Sequence, residues 1–153
     1  MISFADASAR LSAALLCGVV LGLNRQLHGK RAGVRTLGII ALASALATST
    51  AISADVTGAG ATRVMQGIVA GIGFIGAGVI FKGDTSKAIH GLTTAAITWL
   101  SAALGIACGM GLYVSSLVTL LFTLILLFLG PRLEGWMHRR WPRTNAATEG
   151  DME

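Results

Sequence analysis

The sequence predicts an all-α membrane protein. It is a bundle of about five transmembrane helices, with the N-terminus outside, the C-terminus cytoplasmic and an interfacial helix at the C-terminal end. Three observations predict this. Of 153 residues, 54% are hydrophobic and only 12% are charged, about half the charged share of a soluble domain. Apolar runs recur that reach, with their flanks, the ~20 residues needed to cross a bilayer. The Lys and Arg residues fall almost wholly in alternate connections. The organisation that follows is one transmembrane domain over 1–130, a basic amphipathic helix over 131–143 and a disordered tail over 144–153.

The first span is the run Leu11 to Leu23, LSAALLCGVVLGL. Asp6 lies in the segment before it and no small-residue cleavage site introduces a soluble domain, so it reads as a retained helix and not as a signal peptide. Asn24 to Thr36 breaks the apolar pattern with Arg25, His28, Lys30, Arg31 and Arg35, and with Gly29 and Gly33 as hinges. Leu37 to about Ser53, rich in Ala, Ser and Thr, is the second span, and Asp55 to Arg63 reads as a Gly-rich turn. The third span, Gln66 to Lys82, is the stretch around which the chain is organised. A polar connection, Gly83 to Gly91, leads to the fourth span, Leu92 to Cys108. Gly109 and Gly111 make a tight turn, and Leu112 to Leu129 is the fifth and most lipid-like span. From Pro131 to Pro142, Leu133, Trp136, Met137 and Trp141 recur at helical spacing among arginines, the pattern of a helix lying at headgroup level.

The third span holds Gly67, Gly71, Gly73, Gly76 and Gly78. In water each interior glycine would cost a helix roughly 1 kcal/mol relative to Ala. In lipid the backbone must satisfy its own hydrogen bonds, so the segment is helical regardless. On that helix Ile68, Ile72, Ile75 and Val79 form a bulky stripe, with Gly67, Gly71 and Gly78 on the next stripe and Ala70, Gly73 and Ala77 beyond it. The bulky stripe is expected to meet lipid and the small side to meet protein, because small residues let helix backbones approach. Gly71-x-Gly73-x-x-Gly76 also matches a dinucleotide fingerprint. No strand precedes it and no acid follows at the required distance, which excludes that reading.

Orientation follows from charge. Ten of the twelve Lys and Arg residues lie in the first loop, the third loop and the C-terminal tail, with Arg10 and Arg63 on the other side. That asymmetry puts the first group in the cytoplasm. It also accounts for the net charge of +5 through orientation and anionic lipid, with no nucleic acid needed.

Polar residues define the candidate sites. Thr94, Thr98 and Ser101 share a face of the fourth span that Gly91 and Gly105 continue. They either hydrogen-bond across to the glycine helix or line a narrow polar path. Arg25, Arg31 and Arg35 either form a cytoplasmic anion or headgroup site or serve orientation alone. Arg63 pairs with Asp55, lines an entry, or is a solvated loop charge. His28 and His90 lack a carboxylate cluster and make a poor metal site. Cys17 and Cys108 read as packing residues, without metal or disulfide spacing. No nucleophile–base pair, paired carboxylates or flanked phosphate loop is visible, so no enzyme and no cofactor are expected. Mg²⁺ wants oxygen ligands, usually carboxylates, and no acid lies mid-membrane.

Three ordered motifs carry a family resemblance over roughly residues 15 to 130. Leu21-Gly-Leu-Asn-Arg-Gln26 with Ala32-Gly-Val-Arg-Thr36 resembles the first signature of the MgtC/SapB family of bacterial inner-membrane proteins. Gly71-Ile-Gly-Phe-Ile-Gly-Ala-Gly-Val-Ile80 resembles its central glycine motif. Gly91-Leu-Thr-Thr-Ala-Ala96, with Trp99 and Ala102-Ala-Leu-Gly105, resembles the third. The resemblance marks Asn24, Arg25, Arg31, Gly33, Arg35, Thr36, Arg63 and Thr93 as polar motif positions. Asn24 stands where the family usually has Glu, and Gly58 to Thr62 lacks the family's acid before Arg63. Longer members carry a cytoplasmic C-terminal domain, and this chain reads as the short form.

The resemblance implies a multi-pass inner-membrane protein with a regulatory role in magnesium or acid stress adaptation or in virulence. It would act by packing against a membrane partner such as the F-type ATP synthase. Membrane lipid and a second copy of the chain, as a dimer, are the other expected partners. The alternative is an oligomeric channel or transporter for an ion or small solute.

Overall fold

The computed structural model describes residues 2–54, 58–82 and 89–140. Its described residues form five helices, each long and apolar enough to cross a membrane. They are α1 (Phe4–Leu27), α2 (Val34–Ala54), α3 (Ala59–Val79), α4 (Leu92–Gly109) and α5 (Tyr113–Arg140). A two-residue antiparallel ladder, Phe81–Lys82 (β1) with Ile89–His90 (β2), joins α3 to α4. The polar connection expected between Gly83 and Gly91 thus has paired ends, and its residues 83–88 lie outside the described ones.

Local chemistry sets the helix ends. Ser3 caps α1, its Oγ accepting from the Asp6 N–H at 3.2 Å, which satisfies one of the free donors of the first turn. At the other end of α1 the Gly29 N–H donates to Gln26 and the Lys30 N–H to Arg25, both at 3.0 Å, with Gly29 at φ 64°. Gly111 repeats this at the end of α4, with bonds to Cys108 and, through Leu112, to Ala107. Both are Schellman closures, in which a left-handed glycine turns the chain back and occupies the last carbonyls.

Two boundaries differ from the sequence expectation. Helix α3 starts at Ala59 and not near Gln66, because the Thr62 N–H and hydroxyl both bond the Gly58 carbonyl, at 3.2 and 3.0 Å. Arg63 therefore sits in a helical turn and not in a loop. Helix α5 runs unbroken through Pro131 to Arg140, so no helix break separates the fifth span from the basic segment. Trp141 and the tail to Glu153 lie outside the described residues.

The chain divides into two compact units, 1–121 and 122–153. In the first unit α2 is the central helix, packed by both α1 and α4, with α3 against α4 and α2. The packing is made by glycine. A Cβ on Gly18 would lie 2.6 Å from the Leu37 carbonyl, and one on Gly22 would lie 2.5 Å from Val34 Cα. On the other side of α2, a Cβ on Gly105 would collide with the Ala41 carbonyl, and one on Gly109 would lie 2.8 Å from the Ala45 carbonyl. Two small-x-x-x-small pairs, Gly18/Gly22 and Gly105/Gly109, thus clamp α2 backbone to backbone. Leu21, Leu37, Ala41, Ala45, Ala102 and Leu104 fill the space around them. In the second unit the remainder of α5 exposes Phe122, Ile125, Leu126, Phe128, Leu129 and Leu133, as expected of a lipid-facing helix. Arg132 stacks 3.9 Å over the Phe128 ring and donates to the Phe128 carbonyl at 3.0 Å.

The orientation of α3 reverses the expectation. Ile72 and Gly76 are buried, and Ile68 and Val79 half-buried, so most of the bulky stripe faces α2 and α4. On the small side, a Cβ added at Gly67, Gly71, Gly73 or Gly78 would meet nothing within 4 Å among the described residues. On this side α4 presents the small Ala95, which a Cβ on Gly76 would meet at 3.8 Å, and the bulky stripe gains dispersion contacts by filling the space that small residues leave.

Gly18→Leu and Gly105→Leu are each expected to destabilise the fold by about 1–3 kcal/mol or more, the range for overpacking. Denaturant titration of helicity in detergent reads this, with Gly71→Leu as the unaffected comparison.

Candidate functional site

The polar groups of the first unit converge on α4. Its Thr94, Thr98 and Ser101 are all buried. The Ser101 hydroxyl donates across to the Leu37 carbonyl of α2 at 2.8 Å, and the Thr98 hydroxyl to its own helix at the Thr94 carbonyl, also 2.8 Å. At the far end Ser49 of α2 donates to the Gly109 carbonyl at 3.2 Å. This polar face therefore binds α4 to α2. The sequence had offered the glycine helix or an open path as its target.

Two arginines of α1 reach the two ends of α4. Arg10 donates to the Gly109 carbonyl at 2.7 Å and pairs with Asp6 at 2.8 Å. A cation suits the C-terminal end of a helix, where unsatisfied carbonyls carry partial negative charge. Arg25 lies at the other end, only 6% exposed, its Nη2 donating to Thr94 Oγ1 at 3.0 Å. Its Nε has no partner among the described residues, and Thr48 Oγ1 is likewise buried and unpartnered.

Arg25 is thus separated from the arginines grouped with it in the sequence, because Arg31 and Arg35 are exposed. Thr36, Arg63 and Thr93 are exposed as well, and Asn24 is half-buried with its carbonyl accepting from His28 Nδ1 at 2.7 Å. A Cβ on Gly33 would sit 3.0 Å from Gln26 Oε1. Gly91, left-handed at φ 93°, lies against the Val79 carbonyl and Ile80. Asp55, the proposed partner of Arg63, lies outside the described residues. Sequence reading missed Gly18, Gly22 and Gly109 as packing glycines, although the Gly-x-x-x-Gly spacing was present in both pairs. It also treated Cys17 and Cys108 singly. The structure buries both thiols, Cys17 on α1 and Cys108 on α4, two helices that pack against each other.

With this arrangement in view, the profile of the MgtC family matches residues 11–136. The chain belongs to the MgtC family. Among curated relatives, this MgtC-family chain is 40% identical to protein SrpB of Synechococcus elongatus, over 89% of its own length and 82% of SrpB. It is 39% identical to protein SapB of Bacillus subtilis over 78% of its length. It is 41% identical to protein MgtC of Brucella abortus over 77%. It spans most of SrpB but only 54% of SapB and 48% of that MgtC. No solved structure matches it.

Ser101→Ala is expected to cost the MgtC-family bundle about 1 kcal/mol, the scale of one interhelical bond in lipid. The exposed Thr93→Val is expected to be neutral, both read by denaturant midpoint.

Proposed function

We propose that this MgtC-family protein is a regulatory protein of the bacterial inner membrane. It works by packing the bare face of α3 against another membrane helix, in the first instance that of a second copy. One observation carries the reading. Gly67, Gly71, Gly73 and Gly78 have open space where a Cβ would stand, while the glycines of α1 and α4 are already engaged. Phe74, 84% exposed, projects from among these glycines, with exposed Ala70 and Ala77 beside it. A ring between bare backbone positions is a knob for a facing groove. Lipid tails gain little from glycine, whereas a second helix gains close contact along its length.

The physiological setting follows the family resemblance: adaptation to magnesium or acid stress, or virulence, with the F-type ATP synthase as a candidate larger partner. The rival reading, an oligomeric channel or transporter, needs polar groups facing a path. Thr94, Thr98 and Ser101 are buried in the bundle and bonded to α1, α2 and α4 itself, which favours the packing role.

Gly71→Leu and Gly78→Leu discriminate, because a Cβ at either position would meet no other described residue within 4 Å. Each is expected to leave the thermal midpoint unchanged, to lower cross-linked or native-mass oligomer at least tenfold, and to remove the growth phenotype at low magnesium. Retention of assembly and phenotype in both variants sinks the proposal. The orientation is tested separately with an impermeant maleimide: Arg63→Cys should react in cells with a permeabilised outer layer, and Arg31→Cys only after the inner membrane is opened.

A further inference from the structure

The two ends of α4 are treated unequally. Both meet an arginine of α1, and the two arginines stand about 22 Å apart along that helix. Arg10 meets the end that attracts a cation and has Asp6 beside it. Arg25 meets the end that repels one. A helix N-terminus carries partial positive charge and free N–H donors. Its cap residue, Gly91, has no side chain to accept from Leu92, Thr93 or Thr94. A buried guanidinium placed there adds a full positive charge to the same spot, and the contact it makes in the first turn is with a neutral hydroxyl. The acids among the described residues are Asp6 and Glu134. Asp6 lies at the opposite end of α1, about 28 Å away along the helix, and Glu134 lies in the second unit.

Buried cations are stable only when paired and fully hydrogen-bonded. Arg25 is more than nine-tenths buried and its Nε is unpartnered. We propose that the first turn of α4 and the Arg25 guanidinium together form an oxyanion site for a phosphate group. The chemistry matches on every side. A guanidinium presents its Nε and Nη donors as a planar fork suited to phosphate oxygens. The first N–H groups of an 18-residue helix supply donors and a favourable field for the same anion. The Thr94 hydroxyl accepts from Arg25 and so retains its own proton to donate. The charge pattern of the chain places this end of α1 and α4 at the cytoplasmic face, where phosphate is available from anionic headgroups and from the cytosol. The site differs from the bare face of α3 and stands or falls independently of it.

The test uses the full chain carrying Arg31→Gln and Arg35→Gln, which removes the exposed neighbouring cations. In detergent and chloride buffer, inorganic phosphate is titrated and thermal unfolding followed. In parallel, the protein is placed in phosphatidylcholine nanodiscs with and without phosphatidylglycerol, and retained lipid is read by native mass spectrometry. A saturable rise in melting temperature with inorganic phosphate identifies a free anion. Selective retention of phosphatidylglycerol identifies a headgroup. Either result is expected to weaken at least tenfold in Arg25→Gln, and less in Arg25→Lys, which keeps the charge and loses the fork. Should Arg25→Gln fail to fold, Thr94→Val must weaken binding in its place. Binding of neither probe overturns the proposal. Binding that survives these substitutions overturns it equally.

Discussion

The contact on which the first unit depends is backbone against backbone, where α1 and α4 close on α2. Inside a bilayer the lipid tails are as apolar as leucine, so burial alone gives helices little reason to associate. What remains is dispersion and hydrogen bonding, and both strengthen as helix axes approach. Gly18 and Gly22 on one side and Gly105 and Gly109 on the other bring the backbones to distances no larger residue permits. The same approach brings the Ser101 hydroxyl within 2.8 Å of the Leu37 carbonyl, a bond that would be lost with one more methylene of separation. It also holds α1 in the register that places Arg10 and Arg25 at opposite ends of α4.

Glycine consequently plays two opposed parts in one small protein. In α1 and α4 the missing side chains are filled by a neighbour. In α3 Gly67, Gly71, Gly73 and Gly78 are left bare, and the side chains that anchor α3 to the bundle are Ile72 and its half-buried neighbours Ile68 and Val79. A helix held by bulky residues on one side can leave the other side small, around the single projecting ring of Phe74, without losing its place. The glycines that fix the fold and the glycines left bare are therefore distinct sets, which is why Gly71 and Gly105, alike in type, differ in what a substitution should do.

The five spans, their order and the family were legible because they rest on length, composition and local motif. Helix facing was not. Water distinguishes an inner from an outer face, and periodicity records the difference. A membrane removes that contrast, so the pattern alone did not reveal that Ile72 would face α2 and α4 within the bundle. Gly18 and Gly22 escaped notice for a related reason: two glycines among valines and leucines stand out less than five close together, though they make the tighter contact. Arg25 was read with Arg31 and Arg35 because a cation near a span's end usually extends to the interface. Only the arrival of α4 at that point, through a contact 69 residues away in sequence, buries it.

The end of α4 that meets Arg25 is also where α3 terminates. Gly91 is pressed against the Val79 carbonyl so closely that no Cβ would fit. The C-terminal end of α3, with its partial negative charge, thus lies beside the N-terminal end of α4. That alignment eases the field at the junction but supplies only partial charge, while Arg25 carries a full one. The deficit left over is what a phosphate group would correct. The same glycine seats the end of α3, so a side chain at Gly91 would push the two helix ends apart. The close approach of α3 to the first turn of α4 thus depends on a position with no side chain, Gly91.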